Sequence, residues 1–276
     1  MKLVSFSSLL VFSTLWSTVS SLPLEFSQGL RTDQTVIKRP KGGGGGGVKY
    51  WPGNKVPYTI SSLLSQPAKK AIHQALKVYK KKTCVSFVPR IEQENYVAFV
   101  PGQGCYSAVG LQGGRQEITI SSRCETKGTI LHETMHALGF HHEQSRYDRD
   151  EYVKVLWWNI EPGAEKNFEL NSLKVQNTFN LPYDYDSLLH YNKKAYSKNN
   201  EDTIQAINNP DRKLGSFDKF SKTDLEKLNL VYPCKKAPFP KECKDSAGRC
   251  AEYAKFPNYC YHEFMRIRCK KSCDVC

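Results

Sequence analysis

One stretch in the middle of the chain limits what this sequence can fold into. Residues 132–142 follow the pattern H-E-x-x-H-x-x-G-x-x-H. On a helix, His132 and His136 lie one turn apart on the same face, so both imidazoles can reach one metal ion. Gly139 can end the helix in a left-handed conformation and bring His142 back as a third nitrogen ligand. Three neutral imidazoles with water in the fourth position are typical of a catalytic zinc site.

The carboxylate within this stretch indicates the chemistry of such a site. Glu133 can reach a metal-activated water without being a ligand, take its proton and deliver it to a leaving amine. Glu117 and Glu125 are alternative carboxylates, but neither has the required spacing to the histidines. His141 is a rival to His142 as the third ligand. The other interpretation of the stretch, an amphipathic helix with incidental histidines, is disfavoured by its specified residue types at fixed spacing.

The first residues, 1–21, read as a secretory signal peptide. Lys2 precedes an apolar run with interspersed Ser and Thr, followed by Ser20, Ser21 and then Pro23. A membrane anchor is the alternative, but the run is short and polar for a span, and no other stretch of about 18 apolar residues occurs. Export to an oxidising compartment accounts for 10 cysteines. We therefore expect a secreted, extracellular protein without a membrane span.

A removable leader is expected at residues 22–41. It contains several basic residues and is followed by six consecutive glycines, residues 42–47, which form a flexible link. Because Arg39 precedes Pro40, the bond after Lys41 is the expected cleavage site for an activating trypsin-like protease. The chain is thus expected to be made as a proenzyme, with a merely disordered terminus as the alternative.

Charge and composition do not indicate a nucleic-acid partner. The chain of 276 residues has 39% hydrophobic residues, enough for a sizeable core, and a formal net charge of +13. That charge is spread out, and the short run of lysines at residues 80–82 reads as a solvated helix end.

The local patterns predict an α+β fold. Residues 55–60 alternate as a strand in which Pro57 suggests an edge or a bulge. An amphipathic helix is predicted over residues 67–82 with Ser65 as its cap, and a later helix begins at Ser221. Trp157 and Trp158 are expected to pack in the core. Further strands are predicted over residues 84–88, 96–100 and 117–120.

Several stretches outside the central motif are similar to one protein family. They are residues 143–150 (EQSRYDRD), Trp51-Pro52 with Val56-Pro57-Tyr58, residues 104–110 (GCYSAVG) and residues 182–187 (PYDYDS). Together with the histidine motif, they resemble the astacin family of metzincins over residues 42–234. The resemblance implies a two-subdomain protease with a cleft, one zinc ion per subunit, and protein or peptide substrates.

The resemblance also implies roles for single residues. Glu143 matches the glutamate that binds, directly or through water, the newly exposed N-terminus, which by family spacing would be Gly42. Tyr191 matches a tyrosine that can ligate zinc at rest and then donate to the oxyanion; the alternative is a packed aromatic side chain. Leu189 occupies the position where the family usually has a methionine. By the resemblance, this residue is an apolar side chain that packs beneath the metal and is not a ligand. Such a near-isosteric exchange usually costs under about 1.5 kcal/mol.

The leader is expected to keep the proenzyme silent. In the family, an aspartate that replaces the zinc-bound water lies within a Phe-x-Gly-Asp setting. Residues 26–29 (FSQG) lack that aspartate, and Asp33 is the only aspartate before Lys41. Asp33 is therefore assigned as the latency residue.

The C-terminal end forms a separate unit. A linker at residues 235–242 precedes six cysteines within residues 243–276. A unit this small needs disulfides, and six cysteines allow fifteen pairings. The ending resembles a ShK-toxin-type (ShKT) domain, and a zinc ribbon is the rival interpretation. The resemblances imply these disulfides: Cys243–Cys276, Cys250–Cys269 and Cys260–Cys273 in the tail, and Cys84–Cys234 and Cys105–Cys124 in the protease part.

Taken together, the sequence predicts a secreted zinc endopeptidase made as a proenzyme, with a disulfide-rich accessory module. The alternative is a toxin or binding protein that acts through its ShKT tail. Channel block by such toxins uses a Lys-Tyr pair after a methionine, whereas Met265 is followed by Arg266 and Ile267. A docking or spacing module is therefore the preferred interpretation of the tail.

Overall fold

The computed structural model describes residues 47–173 and 175–234, together with Cys250. The signal peptide, the leader with Asp33, the linker and the rest of the tail lie outside the described residues, so the assignments made for them stay predictions. Cys250 is buried and disulfide-bonded.

A five-stranded sheet forms the first part of the domain. Its strands are β1 (Lys55–Ile60), β2 (Ser86–Pro89), β3 (Tyr96–Pro101), β4 (Tyr106–Ser107) and β5 (Arg115–Ile120). Their order is β2-β1-β3-β5-β4, with β4 antiparallel to β5 and the other neighbours parallel. The predicted strands are confirmed in type, and their bounds shift by up to two residues.

The expectation that Pro57 marks an edge strand is wrong. Strand β1 lies between β2 and β3. Pro57 is level with Val88 of β2, but the ladder with β3 begins only at Tyr58. An interior strand can therefore contain this proline, because the residue has no ladder partner on its β3 side.

Helix α1 (Gln66–Lys82) covers the sheet. Its predicted cap is confirmed, since Ser65 Oγ accepts a hydrogen bond of 3.0 Å from the Ala68 amide. The buried face follows helical spacing, and from it the Tyr79 hydroxyl donates to the Leu131 carbonyl at 2.9 Å. This contact ties α1 to the next helix.

Helix α2 (Lys127–Ala137) carries the first half of the histidine motif and is buried along most of its length. Thr126 caps it by accepting from the Thr129 amide at 3.1 Å. At Gly128, a Cβ would lie 1.5 Å from the Phe217 carbonyl oxygen, so the chain at Phe217 can pass the helix only at a glycine. Helix α3 (Lys222–Val231) packs its apolar side into the same hydrophobic cluster.

A second, smaller hydrophobic cluster surrounds the antiparallel pair β6 (Val153–Val155) and β7 (Ile204–Ala206). Phe168 and Tyr191 belong to it. The predicted core positions of Trp157 and Trp158 are wrong, because the two residues are 46% and 61% exposed. Trp157 contacts Phe168 edge-on with ring centroids 6.2 Å apart, while Trp158 lies beneath the Lys154 ammonium.

Two disulfides close the described domain. Cys84 is joined to Cys234 and Cys105 to Cys124, with Cα atoms 4.8 Å and 6.3 Å apart. Within the part of the chain that the structure describes, no helix has the length and apolar character needed to cross a membrane.

Candidate metal centre

Three imidazoles converge at the end of α2. The Nε2 atoms of His132, His136 and His142 are 3.1 to 3.2 Å from one another. Two nitrogens bound to one tetrahedral zinc at about 2.0–2.1 Å lie roughly 3.3 Å apart. The three nitrogens therefore fit a single zinc ion, and His132 is half-buried while His136 and His142 are buried.

The backbone at Gly139 explains how the third histidine returns to the helix. Gly139 has φ +106°, and its amide donates to the His136 carbonyl at 2.8 Å. A Cβ at this position would be strained and would lie 2.7 to 2.9 Å from the ring of Tyr50 and the side chain of Val48. Glycine is thus required both for the turn and for the N-terminal segment that packs against it.

Hydrogen bonds to backbone carbonyls orient the rings of His132 and His136. His132 Nδ1 lies 2.8 Å from the Leu188 carbonyl, and His136 Nδ1 lies 2.7 Å from the Phe140 carbonyl. Since a carbonyl only accepts, each Nδ1 carries the proton and leaves Nε2 free for a metal. Burial, reinforced by the neighbouring histidines, holds the pKa values of His136 and His142 well below 6.5, so both rings are neutral.

The rival residues named from the sequence lie elsewhere. Among the described residues, the group that could hold a metal consists of His132, His136 and His142, and His141 is not part of it. Glu117 forms an exposed ion pair with Arg115, and Glu125 accepts from Ser65 at the start of α1.

Glu133 and Tyr191, the two proposed catalytic residues, lie in different parts of the domain. Glu133 lies between two of the histidines on α2 and is 0% exposed. Tyr191 belongs to the second cluster, and its ring centroid is 4.7 Å from that of His142. The Tyr191 amide donates to Gln144 Oε1 at 3.1 Å, which holds the tyrosine beside the third histidine.

The turn beneath the histidines is held by α3. Asp224 accepts from Ser187 Oγ at 2.7 Å and from the Leu188 amide at 2.8 Å. Leu189 is buried in the first hydrophobic cluster, and its carbonyl accepts from the Glu143 amide at 3.0 Å. Leu189 is thus a buried apolar residue, and Asp224 connects the turn that contains it to α3.

Glu143 is the centre of a buried ionic cluster. Its Oε1 accepts from Arg146 and from the Asp184 amide, both at 3.0 Å, and its Oε2 accepts from Lys227. Burial alone would raise the pKa of Glu143, but the charges of Lys227 and Arg146 outweigh this effect and lower it. Arg146 also forms a bidentate ion pair with Asp148, through two parallel hydrogen bonds. The proposed N-terminal partner, Gly42, lies outside the described residues.

The contributions of α3 to this centre were not predicted from the sequence, in which only Ser221 was assigned, as the start of a helix. A signal was present, since Asp224, Lys227 and Leu228 have i, i+3, i+4 spacing and so share one helix face. A lysine within an otherwise buried stripe needs an acidic partner.

The comparisons with known proteins agree with this geometry. The sequence pattern of the peptidase family described as Astacin matches residues 46–233. The chain is 42% identical over 188 residues to zinc metalloproteinase nas-4 of Caenorhabditis elegans, covering 67% of this chain and 60% of the relative. It is 42% identical over 191 residues to mouse meprin A subunit beta, covering 68% of this chain and 27% of the relative.

A solved structure shares the fold. It is high choriolytic enzyme 1, a hatching enzyme zinc-protease from Oryzias latipes, at 38% identity and a TM-score of 0.64, covering 68% of this chain and 94% of that one. The matched region spans only 41% of nas-13, a further Caenorhabditis elegans relative that is 43% identical over 185 residues. The family match over most of the chain and the three convergent histidines lead to one conclusion: this chain belongs to the astacin family of peptidases, and zinc is the metal of its three-histidine group.

Proposed function

We propose that this protein is a secreted zinc endopeptidase that hydrolyses peptide bonds in proteins and is made as a proenzyme. The observation that carries the proposal is the convergence of three Nε2 atoms at 3.1 to 3.2 Å, two of them on the helix that also carries the buried Glu133. His132, His136 and His142 are the proposed ligands. When bound, zinc polarises the substrate carbonyl and lowers the pKa of a water to roughly 7.

The remaining steps belong to side chains of this chain. Glu133 takes a proton from the attacking water and passes it to the leaving amine, as a general base and then a general acid. Its position between two histidines on α2 supports this role. Tyr191 donates its hydroxyl proton in a hydrogen bond to the oxyanion that develops on the carbonyl oxygen. The short distance between the Tyr191 and His142 rings supports that assignment.

Replacing Tyr191 by phenylalanine tests the oxyanion role. We expect Tyr191→Phe to lower kcat about 10²-fold with little change in KM, because the lost hydrogen bond is made mainly in the transition state. Steady-state kinetics on a quenched fluorescent peptide give both constants. Tyr196→Phe is the matched control, since its ring lies 5.6 Å from that of Tyr191, and it should retain kcat. An unchanged kcat in Tyr191→Phe would remove the residue from the mechanism.

We further propose that residues 22–41 are a propeptide removed after Lys41 by a trypsin-like protease, with Asp33 as the latency residue. The freed amine of Gly42 would then approach Glu143. Support comes from the chain just after the glycines: the Lys49 carbonyl accepts from the Leu111 amide at 2.8 Å, and Trp51 Nε1 donates to the Ala137 carbonyl at 2.9 Å. This segment is therefore held against the end of the zinc-binding helix.

The proposal for the tail is a ShKT-type domain at residues 243–276, joined by the linker 235–242, that docks or spaces the protease. Its three disulfides would be those implied by the resemblance: Cys243–Cys276, Cys250–Cys269 and Cys260–Cys273. Peptide mapping of the secreted protein under non-reducing conditions identifies the pairs directly.

One assay tests the proposed function as a whole. Full-length protein is compared before and after cleavage at Lys41 for digestion of a protein substrate, then with a zinc chelator, and then with zinc restored. We expect activity to appear on cleavage, to disappear with the chelator and to return with zinc. Digestion that persists after verified removal of zinc would refute a zinc mechanism. Binding to a receptor or channel without any digestion would instead favour the toxin alternative.

A further inference from the structure

We propose that Lys227 is a positioning residue of the zinc centre. Its ammonium group neutralises the buried carboxylate of Glu143 and thereby holds the neighbouring ligand, His142, in place. The inference builds on the proposed zinc function of the three histidines. It assigns a role to a lysine on α3 that lies far from the histidine motif in the sequence.

The ion pair between Lys227 and Glu143 is buried. The side chains are 8% and 1% exposed, and the two residues are 84 positions apart in the chain. Surface ion pairs contribute little to stability, but a buried carboxylate that loses its cation is strongly unfavourable. The Lys227 ammonium is therefore part of the interior and connects α3 to the segment after the third ligand.

The position of Glu143 is coupled to that of His142. The two residues are adjacent, and their peptide groups are fixed on both sides. The Glu143 amide donates to the Leu189 carbonyl at 3.0 Å, and the His142 carbonyl accepts from Gln176 Nε2 at 3.0 Å. The Glu143 side chain and the His142 ring therefore project from one restrained stretch of backbone, so no flexible link between them can absorb strain at Glu143.

The charges around Glu143 require a second cation. Two ion-paired carboxylates, those of Glu143 and Asp148, are matched by the two cations of Arg146 and Lys227. Without Lys227, the guanidinium of Arg146 would have to neutralise the carboxylates of both Glu143 and Asp148. The Asp184 carboxyl group adds a further negative charge near Glu143, and burial together with the charges of Asp224 and Glu143 raises its pKa.

This arrangement has a consequence for processing. Lys227 supplies Glu143 with an ammonium group before any N-terminal amine is released. The structural integrity of the zinc site then depends on Lys227 and only weakly on the amine of Gly42.

The experiment measures zinc affinity without substrate. Wild-type, Lys227→Met and Lys222→Met full-length proteins are titrated against a chromophoric zinc chelator. We expect Lys227→Met to bind zinc at least roughly tenfold more weakly, as for the loss of partners that orient metal ligands. Lys222→Met alters an exposed lysine at the start of the same helix and should bind like wild type. Equal affinity in Lys227→Met and wild type would overturn the proposal.

A second variant separates positioning from a general loss of structure. In Lys227→Met combined with Glu143→Gln, position 143 no longer carries a charge that needs the ammonium, and Arg146 can pair with Asp148 alone, so zinc affinity should recover much of the loss. If the double variant binds zinc as weakly as Lys227→Met does, the proposal is overturned. If Lys227→Met alone fails to fold, a double variant that also fails to bind zinc overturns it in the same way. Digestion assays test the proposed function separately. Wild-type protein that binds zinc but digests no substrate would refute that function, while the comparison of zinc affinities would still test the role of Lys227.

Discussion

Replacing Glu133 by glutamine is expected to lower kcat for peptide hydrolysis by about 10²–10⁴-fold, while zinc content stays at the wild-type value. The exchange keeps the size of a side chain that is 0% exposed, but it removes the group that accepts the proton of the attacking water. Because Glu133 is not one of the three convergent nitrogen donors, the metal should stay bound. Initial rates on a fluorescent peptide and metal analysis of the same preparation measure the two quantities.

Glu125→Gln is the matched control for this experiment. Glu125 is a carboxylate near the start of α2 that accepts from Ser65 Oγ at 2.6 Å, away from the histidines. Its replacement should leave kcat within about twofold of wild type, since surface substitutions of this kind have small effects. Near-normal hydrolysis by Glu133→Gln, with full zinc content, would mean that another group is the base.

Replacing Asp224 by alanine is expected to lower the free energy of unfolding by about 3–5 kcal/mol, since each buried donor left without a partner costs roughly 1–3 kcal/mol. The donors in question are Ser187 Oγ and the amides of Leu188 and Ser221. The Leu188 carbonyl accepts from His132, so zinc affinity should fall as well. Urea unfolding of the disulfide-intact protein, followed by circular dichroism, gives the free energy.

Ser221→Ala separates the two roles of Asp224. Ser221 Oγ caps α3 by accepting from the Asp224 amide at 2.8 Å, and its loss should cost about 1 kcal/mol. The bonds from Asp224 to Ser187 and Leu188 stay intact in this variant. If Asp224→Ala is no more destabilising than Ser221→Ala, then Asp224 is only a helix cap and the turn beneath the histidines does not depend on it.

The features that could be predicted from the sequence are those set by neighbouring residues. Helical spacing and the glycine turn brought His132, His136 and His142 together within one short stretch. The caps Ser65 and Ser221 mark helix starts because their side chains bind amides three residues ahead.

The features that could not be predicted depend on residues far apart in the chain. The pairing of Lys227 with Glu143 spans 84 positions, and that of Asp224 with Leu188 spans 36. Pro57 was expected at an edge or a bulge because its missing amide is a local property, whereas the extent of the β3 ladder is set by the whole sheet. The exposure of Trp158 likewise depends on which surfaces the second cluster leaves uncovered.

The disulfide between Cys84 and Cys234 also affects how the enzyme would survive its own activity. The bond joins the chain after α1 to the chain after α3 across a separation of 150 residues. A single cut in any loop between them leaves both pieces covalently attached, so α3 with Asp224 and Lys227 cannot diffuse away from the histidines. A nicked molecule would therefore keep its zinc site assembled and would migrate as one species until it is reduced.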